Sequence, residues 1–255
     1  MELSLELQAI YAMWIRQLKR FLRARSRLIA NIIQPFFFLA FLGLGLKPTP
    51  LPGLGKGLSY LDFLAPGMVA LSIVFASMFA GVSIIWDRQF GLLKEILVAP
   101  VSRLSIVAGR TLGGATISII QGLAILAISV LLGARISPTG LIPALLFMAL
   151  AALFSVSLGI ALASRIEDPH GFSLIMNLAI MPAALLSTAF FPLESTSPWL
   201  KTAIYANPLT YIVDGIRGCL TGKFSIPPLA DLTVILSLST LTIFTGAWLF
   251  SRSEA

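Results

Sequence analysis

Side chains able to break bonds are few in this chain and are poorly placed for catalysis. His170 is its one histidine and Cys219 its one cysteine. The histidine closes a short polar turn, Arg165-Ile166-Glu167-Asp168-Pro169-His170. Such a turn reads as a solvated connection, and Glu167, Asp168 and His170 make too thin a donor set for a metal centre. A lone thiol leaves no internal disulfide and no thiolate cluster. Hydrolysis of a nucleoside triphosphate needs a loop of the form G-x-x-x-x-G-K-[ST]. The nearest runs are Gly53-Leu54-Gly55-Lys56-Gly57 and Gly218-Cys219-Leu220-Thr221-Gly222-Lys223-Phe224. Neither keeps the spacing, and neither follows its lysine with Ser or Thr. The sequence therefore predicts no catalytic residue, no metal site and no cofactor on this chain.

Recognition chemistry is another matter, and it concentrates in the segment from Asp87 to Arg103. There Asp87, Arg88, Lys94, Glu95 and Arg103 alternate with Phe90, Leu93 and Leu97, whose spacing puts them on one helix face. Pro100 ends that short helix, because it lacks an N–H and restricts Ala99. A rigid amphipathic helix of this kind fits a knob for a soluble partner, and equally a helix lying on lipid.

The elements that must carry this segment are apolar. The chain is 57% hydrophobic and 11% charged, against roughly 45–50% and 25% in soluble domains. Six charge-free runs, Leu28–Leu46, Phe63–Trp86, Thr111–Ala134, Leu141–Ser164, Gly171–Leu193 and Leu232–Ser251, are each long enough to cross a hydrocarbon core of roughly 30 Å as a helix. Hydrocarbon offers the backbone no partner, so these runs must be helical. Pro35 and Pro182 are expected to kink two of them. An ion-coupled carrier would need ionisable residues inside the runs, and there are none. Asp62, Arg110 and Asp231 stand near run ends, where they are expected to be solvated or to snorkel.

The net charge of +7 lies beside the spans, so its partner is the lipid headgroup and not nucleic acid. On alternate sides, Arg16, Lys19, Arg20, Arg23, Arg25, Arg27, Arg88, Lys94, Arg103, Arg110, Arg165 and Arg252 stand with the termini, against Lys47, Lys56, Arg135, Lys201, Arg217 and Lys223. The richer set marks the cytoplasmic side, which puts both termini in the cytoplasm of a multi-pass protein of the cell (inner) membrane. Residues 1–27 lack the short charged start and apolar core of a cleavable signal. Leu7, Tyr11, Trp14, Leu18 and Phe21 instead recur along one helix face, the pattern of a helix lying in the interface; the plain alternative is a charged tail. The organisation expected is thus an interfacial helix over 1–27 and an all-α, six-span domain over 28–255. Residues 194–230 are long for a structureless loop. Trp199, Leu200, Ile204, Tyr205, Leu209, Tyr211, Ile212 and Ile216 make two apolar pieces of them, parted by Asn207-Pro208. Such a pair either dips into the bilayer or lies on its surface.

Three stretches in this order carry a resemblance. They are Tyr60-Leu61-Asp62-Phe63-Leu64-Ala65-Pro66-Gly67, then the run from Arg88 through Gly91 and Glu95 to Ala99-Pro100-Val101-Ser102-Arg103, and a late set. The late set comprises Phe190-Phe191-Pro192-Leu193, Pro198-Trp199-Leu200, Asn207-Pro208-Leu209-Thr210-Tyr211 and Asp214-Gly215-Ile216-Arg217. Together they resemble the ABC-2 type transporter permeases, most closely the drug-export and nodulation-export branch. Gln89 departs from the pattern, since many members carry a second carboxylate there.

The resemblance implies a permease subunit that pairs with a second copy or a paralogue and with two ATP-binding cassette subunits, which carry the ATP and Mg. It implies that 87–103 is the coupling helix, with Phe90, Leu93 and Leu97 packed on the ATPase and Arg88, Lys94 and Glu95 at the rim. It also implies that Trp199, Asn207, Pro208, Tyr211, Asp214 and Arg217 belong to a re-entrant helical hairpin before the last span. Apolar walls suit export of an amphipathic or lipid-like substrate, such as a drug, a lipid or a lipid-linked glycan. The rival readings are a channel or scaffold subunit working without nucleotide, and a lipid-modifying membrane enzyme. The enzyme would need clustered polar groups at membrane depth, which the runs lack.

Overall fold

Backbone groups in long apolar runs must find partners along their own helix, and the chain folds accordingly. The computed structural model describes residues 2–46 and 58–252, and these hold eleven α-helices and no strand. The Gly53–Gly57 run, Lys47, Lys56 and the C-terminal Ala255 lie outside the described residues. The helices are α1 (Glu2–Arg23), α2 (Arg25–Phe37, continued as a π-helix over Phe38–Leu44), α3 (Tyr60–Ala80), α4 (Val82–Gln89), α5 (Leu92–Val98), α6 (Arg103–Leu131), α7 (Leu141–Ala163), α8 (Pro169–Leu185), α9 (Pro198–Ala206), α10 (Pro208–Thr221) and α11 (Pro228–Ser251).

Local chemistry sets where these helices begin. Ser59 and Asp62 form a reciprocal capping box on α3. Side chains of Ser102, Asp168 and Asn207 cap α6, α8 and α10. Proline at the first helical position starts α8 to α11.

α3 is apolar all round and correspondingly sits at the centre, against α6, α7, α10 and the π-helical part of α2. α7 packs between α3 and α11, and α1 lies along α6. α3 and α4 meet at Gly81, whose backbone lies against that of Gly159 in α7; a Cβ at Gly81 would strike the Gly159 carbonyl, and one at Gly159 the Met78 carbonyl. Small residues are what let two helices approach so closely where lipid supplies no hydrophobic drive. The outer surface stays apolar. α11 buries only the stripe Asp231, Ile235, Ser239, Thr242, Gly246 and Phe250, while α8 exposes Leu174, Leu178, Met181 and Leu185.

Four helical stretches are long and apolar enough to cross a membrane: Tyr60–Gln89, Arg103–Leu131, Pro138–Ala163 and Pro228–Ser251. They correspond to the second, third, fourth and sixth predicted runs. The first and fifth appear as shorter apolar helices, Asn31–Leu44 and Pro169–Leu185. In the first, Pro35 withholds a donor from the ladder and the helix passes into wider π spacing at Phe38. The fifth run was expected to be helical to Leu193, but α8 stops at Leu185. Pro182 has thinned the ladder there. The Ser187 hydroxyl then donates to the Ala184 carbonyl and accepts from the Ala189 N–H, which gives the backbone a turn in place of a helix.

Candidate functional site

The predicted coupling segment is a short helix between two non-helical joints. α4 ends at Gln89, and Gly91 turns the chain with φ 74°, a left-handed conformation that glycine adopts without strain. α5 follows, then Ala99 and Pro100 in extended backbone, then the Ser102 cap of α6. Phe90 is 73% exposed, Val98 83% and Leu92 39%, and Lys94, Glu95 and Pro100 are exposed beside them. Leu93 corrects the predicted contact face: it is fully buried within this chain. The exposed apolar surface of the segment is therefore Phe90, Leu92 and Val98. The side chain of Leu97 lies outside the described residues. Arg103 reaches sideways to donate to the Ser251 carbonyl at the end of α11, and Arg88 is half-buried.

Asp87 is also not at a solvent-facing rim. It is buried, with Arg16 donating to its two carboxylate oxygens at 2.9 and 3.2 Å and Arg110 donating at 2.7 Å, while Arg20 forms an ion pair with it at 3.5 Å. The pairing of a planar guanidinium with both oxygens is the strong form of this contact. Arg110, expected to be solvated, is equally buried; it enters the bundle because Asp87 meets it there. Arg20 also lies over the Trp86 ring at 5.7 Å. Arg16 and Arg20 remain about one-third exposed or more.

α1 meets the bundle through residues beside the predicted stripe and through Trp14 within it. Ile10 and Met13 sit against Gly109, and Gln17 against Gly113 of α6. Trp14 donates its ring N–H to Thr116 at 3.1 Å, while Leu7 and Tyr11 are about 60% exposed. Leu18 and Phe21 are half-buried. Near its start, Glu6 accepts from the Ser102 N–H and hydroxyl. The Ser105 and Ser102 hydroxyls, with the Ser102 N–H, hold the Glu6 carboxyl below the usual carboxylate range.

At the opposite end of the bundle the buried charges meet backbone. Asp62 accepts from the Ser59 N–H and hydroxyl and from the Arg135 N–H at 2.6 Å. Arg217 donates to the Thr188 carbonyl at 2.6 Å and the Phe63 carbonyl at 3.2 Å, with its guanidinium 3.8 Å over the Phe63 ring. Asp214 accepts from the Ser225 and Ile226 N–H groups. Asp231, like Asp62 expected to be solvated, is fully buried, and neither of its carboxylate oxygens has a hydrogen-bond partner among the described residues. α10, which carries Asp214 and Arg217, packs among α3, α7 and α11. Asn207 caps it and donates to the Ala183 carbonyl. Tyr211 donates to the Tyr205 carbonyl, and Trp199 on α9 is 74% exposed.

The polar turn before α8 is structural. Asp168 accepts from the Gly171 and His170 N–H groups, which hold its carboxyl low. Among the described residues no three of His, Cys, Asp and Glu gather as a metal site would require.

Sequence reasoning passed over the partners of Asp87. The signal was present: Arg16 and Arg20 share a helix face four residues apart, and Arg110 is the only charge between Arg103 and Arg135. Glu6 carried no such signal, because Ser102 is brought to it only by the fold.

Compared with known proteins, residues 8–221 match the sequence model of the ABC-2 type transporter family. A transport permease of Pyropia yezoensis, ycf38, is 31% identical over 219 residues, covering 83% of this chain and 73% of that one. The Escherichia coli K12 inner membrane transport permease YadH is 25% identical over 250 residues, 94% and 91% of the two chains. A Mycobacterium tuberculosis protein named as the doxorubicin resistance ABC transporter permease DrrC is 28% identical over 229 residues, 86% and 79% of the two.

Proposed function

This chain belongs to the ABC-2 type transporter family, the membrane components of ABC transporters, and from that premise we propose that it is the six-span permease of an ATP-driven exporter. The observation that carries the reading is α5. It is a short helix between two membrane-length helical stretches, with Phe90, Leu92 and Val98 exposed beside Lys94 and Glu95. An apolar centre with a charged margin is how a protein contact is built, the margin setting register more than affinity. An ATP-binding cassette subunit is the occupant that the family supplies, and it brings the ATP and Mg.

In this reading α2 with its π-helical extension and α8 are the remaining two spans, both termini face the cytoplasm, and α9 and α10 form a hairpin returning into the outer leaflet. Two copies, or this chain and a paralogue, enclose the path. The DrrC relative's name supports an amphipathic, drug-like substrate.

The test is recovery of the ATP-binding subunit on the affinity-tagged permease. The parent should retain it, and Phe90→Asp with Val98→Asp should release it while the permease still inserts and elutes unchanged. Full retention by that variant removes α5 from the contact. A reporter fused after Ala255 should report from the cytoplasm.

A further inference from the structure

Both roots of α5 are held by one element. At the incoming root, Asp87 is bound by Arg16 and Arg20 of α1 and by Arg110 of α6. At the outgoing root, the Glu6 carboxylate of α1 takes the Ser102 N–H at 2.8 and 3.1 Å and the Ser102 hydroxyl at 2.8 Å. Glu6 and Arg16 stand about 15 Å apart along α1 at the rise of an α-helix. Between them, Gly109 and Gly113 let α1 press its backbone onto α6. The segment carrying α5 is thus a loop whose two ends close on a single bar.

We propose that α1 is a two-point clasp on the coupling segment, with Glu6 and Arg16 as positioning residues that make α5, α1 and the start of α6 move as one body. The proposal deepens the coupling reading and rests on it. Its physical basis is the weakness of α5 alone. A helix of seven residues is below the length at which helices hold themselves together, and Gly91 and Pro100 bracket it. Beyond the buried Leu93, its orientation is that of its roots. Without the clasp, a push on Phe90 or Val98 swivels α5 about Gly91. With it, the same push is delivered to α1 and α6.

The two contacts are also separable from the fold. Glu6 is on the surface and Arg16 is about one-third exposed. Removing Arg16 and Arg20 leaves Asp87 with its buried partner Arg110.

The test uses the full permease with Cys219→Ser, spin-labelled at Gln8→Cys on α1 and Val98→Cys on α5, assembled with its ATP-binding subunit in nanodiscs. The distance distribution between the labels should be narrow and the same without nucleotide and with ATP trapped. Glu6→Gln with Arg16→Gln and Arg20→Gln should broaden it severalfold and abolish the effect of the permease on ATP hydrolysis. Arg16→Lys should keep both at parent values. Glu6→Gln alone, at a surface site, carries the same test should the triple variant fail to fold. A distribution that stays narrow in these variants, or one that shifts with ATP in the parent, overturns the clasp. A Val98 label whose mobility ignores the ATP-binding subunit sinks the coupling reading, and the clasp with it, by a signal distinct from broadening.

Discussion

The two polar ends of this bundle solve the burial of charge in opposite ways. At the end that carries α5, one carboxylate, Asp87, is met by three guanidiniums from two other helices. At the other end, among the described residues, Asp62, Asp214 and Arg217 are met by backbone N–H and carbonyl groups at loop and helix ends. Backbone partners cannot leave without unfolding the loop that presents them. Long side chains can be exchanged, and two of the three arginines are partly in solvent. The first end is built so that elements stay joined while they move, and the second so that loop ends stay put.

Isosteric substitutions at the two ends should break this contrast if it is wrong. Asp87→Asn leaves Arg110 buried without its counter-charge and should cost about 3–5 kcal/mol, read as a fall in thermal unfolding temperature in detergent. Adding Arg110→Gln should restore part of the loss. Asp62→Asn keeps an oxygen for the Arg135 N–H and should cost about 1 kcal/mol. Equal costs at the two sites would remove the distinction.

Within the first end, Leu93 and Phe90 separate what holds the permease together from what it offers outward. Leu93→Ala opens a cavity in a fully buried position and should destabilise the permease by about 2–5 kcal/mol. Phe90→Ala should leave stability within about 0.5 kcal/mol while lowering recovery of the ATP-binding subunit in the tagged pull-down.

Asp231 sharpens the picture of the second end. Its two oxygens have no hydrogen-bond partner among the described residues and face the Asp214 carboxylate, so the carboxylate contributes desolvation and repulsion there. Asp231→Asn should be neutral or stabilising, by about 1 kcal/mol, in the same melting assay. A loss of several degrees would reveal a partner that the carboxylate needs.

The smallest effect concerns pH. Glu6 is held below the usual carboxylate range by Ser105 and Ser102, so its contact is complete at neutral pH and is lost only as pH falls through that lowered value. The spacing between labels on α1 and α5 should stay narrow down to clearly acidic pH and broaden below it. Glu6→Gln should abolish that dependence, and a transition near neutrality would contradict the assignment.

What was legible in the sequence followed the length of the physical signal. The apolar runs and the family stretches are local patterns, readable without knowing what the fold brings beside them. The end of α8 was not legible, because the run to Leu193 stays apolar while Ser187 and Pro182 quietly withdraw it from the helix. Helical spacing put Leu93 on the face with Phe90, but a seven-residue helix has too few turns for periodicity to say which side meets its own protein. Asp62, Arg110 and Asp231 were misread as solvated because distance from a run's end says nothing of what the neighbouring helices place there.

The contact of Gly81 with Gly159 ties two distant stretches of the chain together backbone to backbone. A methyl group at Gly81 meets the Gly159 carbonyl and one at Gly159 meets the Met78 carbonyl, so either must force α7 away from the α3–α4 junction, and no side-chain change can make room where the obstacle is backbone. Alanine at Gly81 or Gly159 therefore has to be accommodated by moving helices and not by repacking side chains.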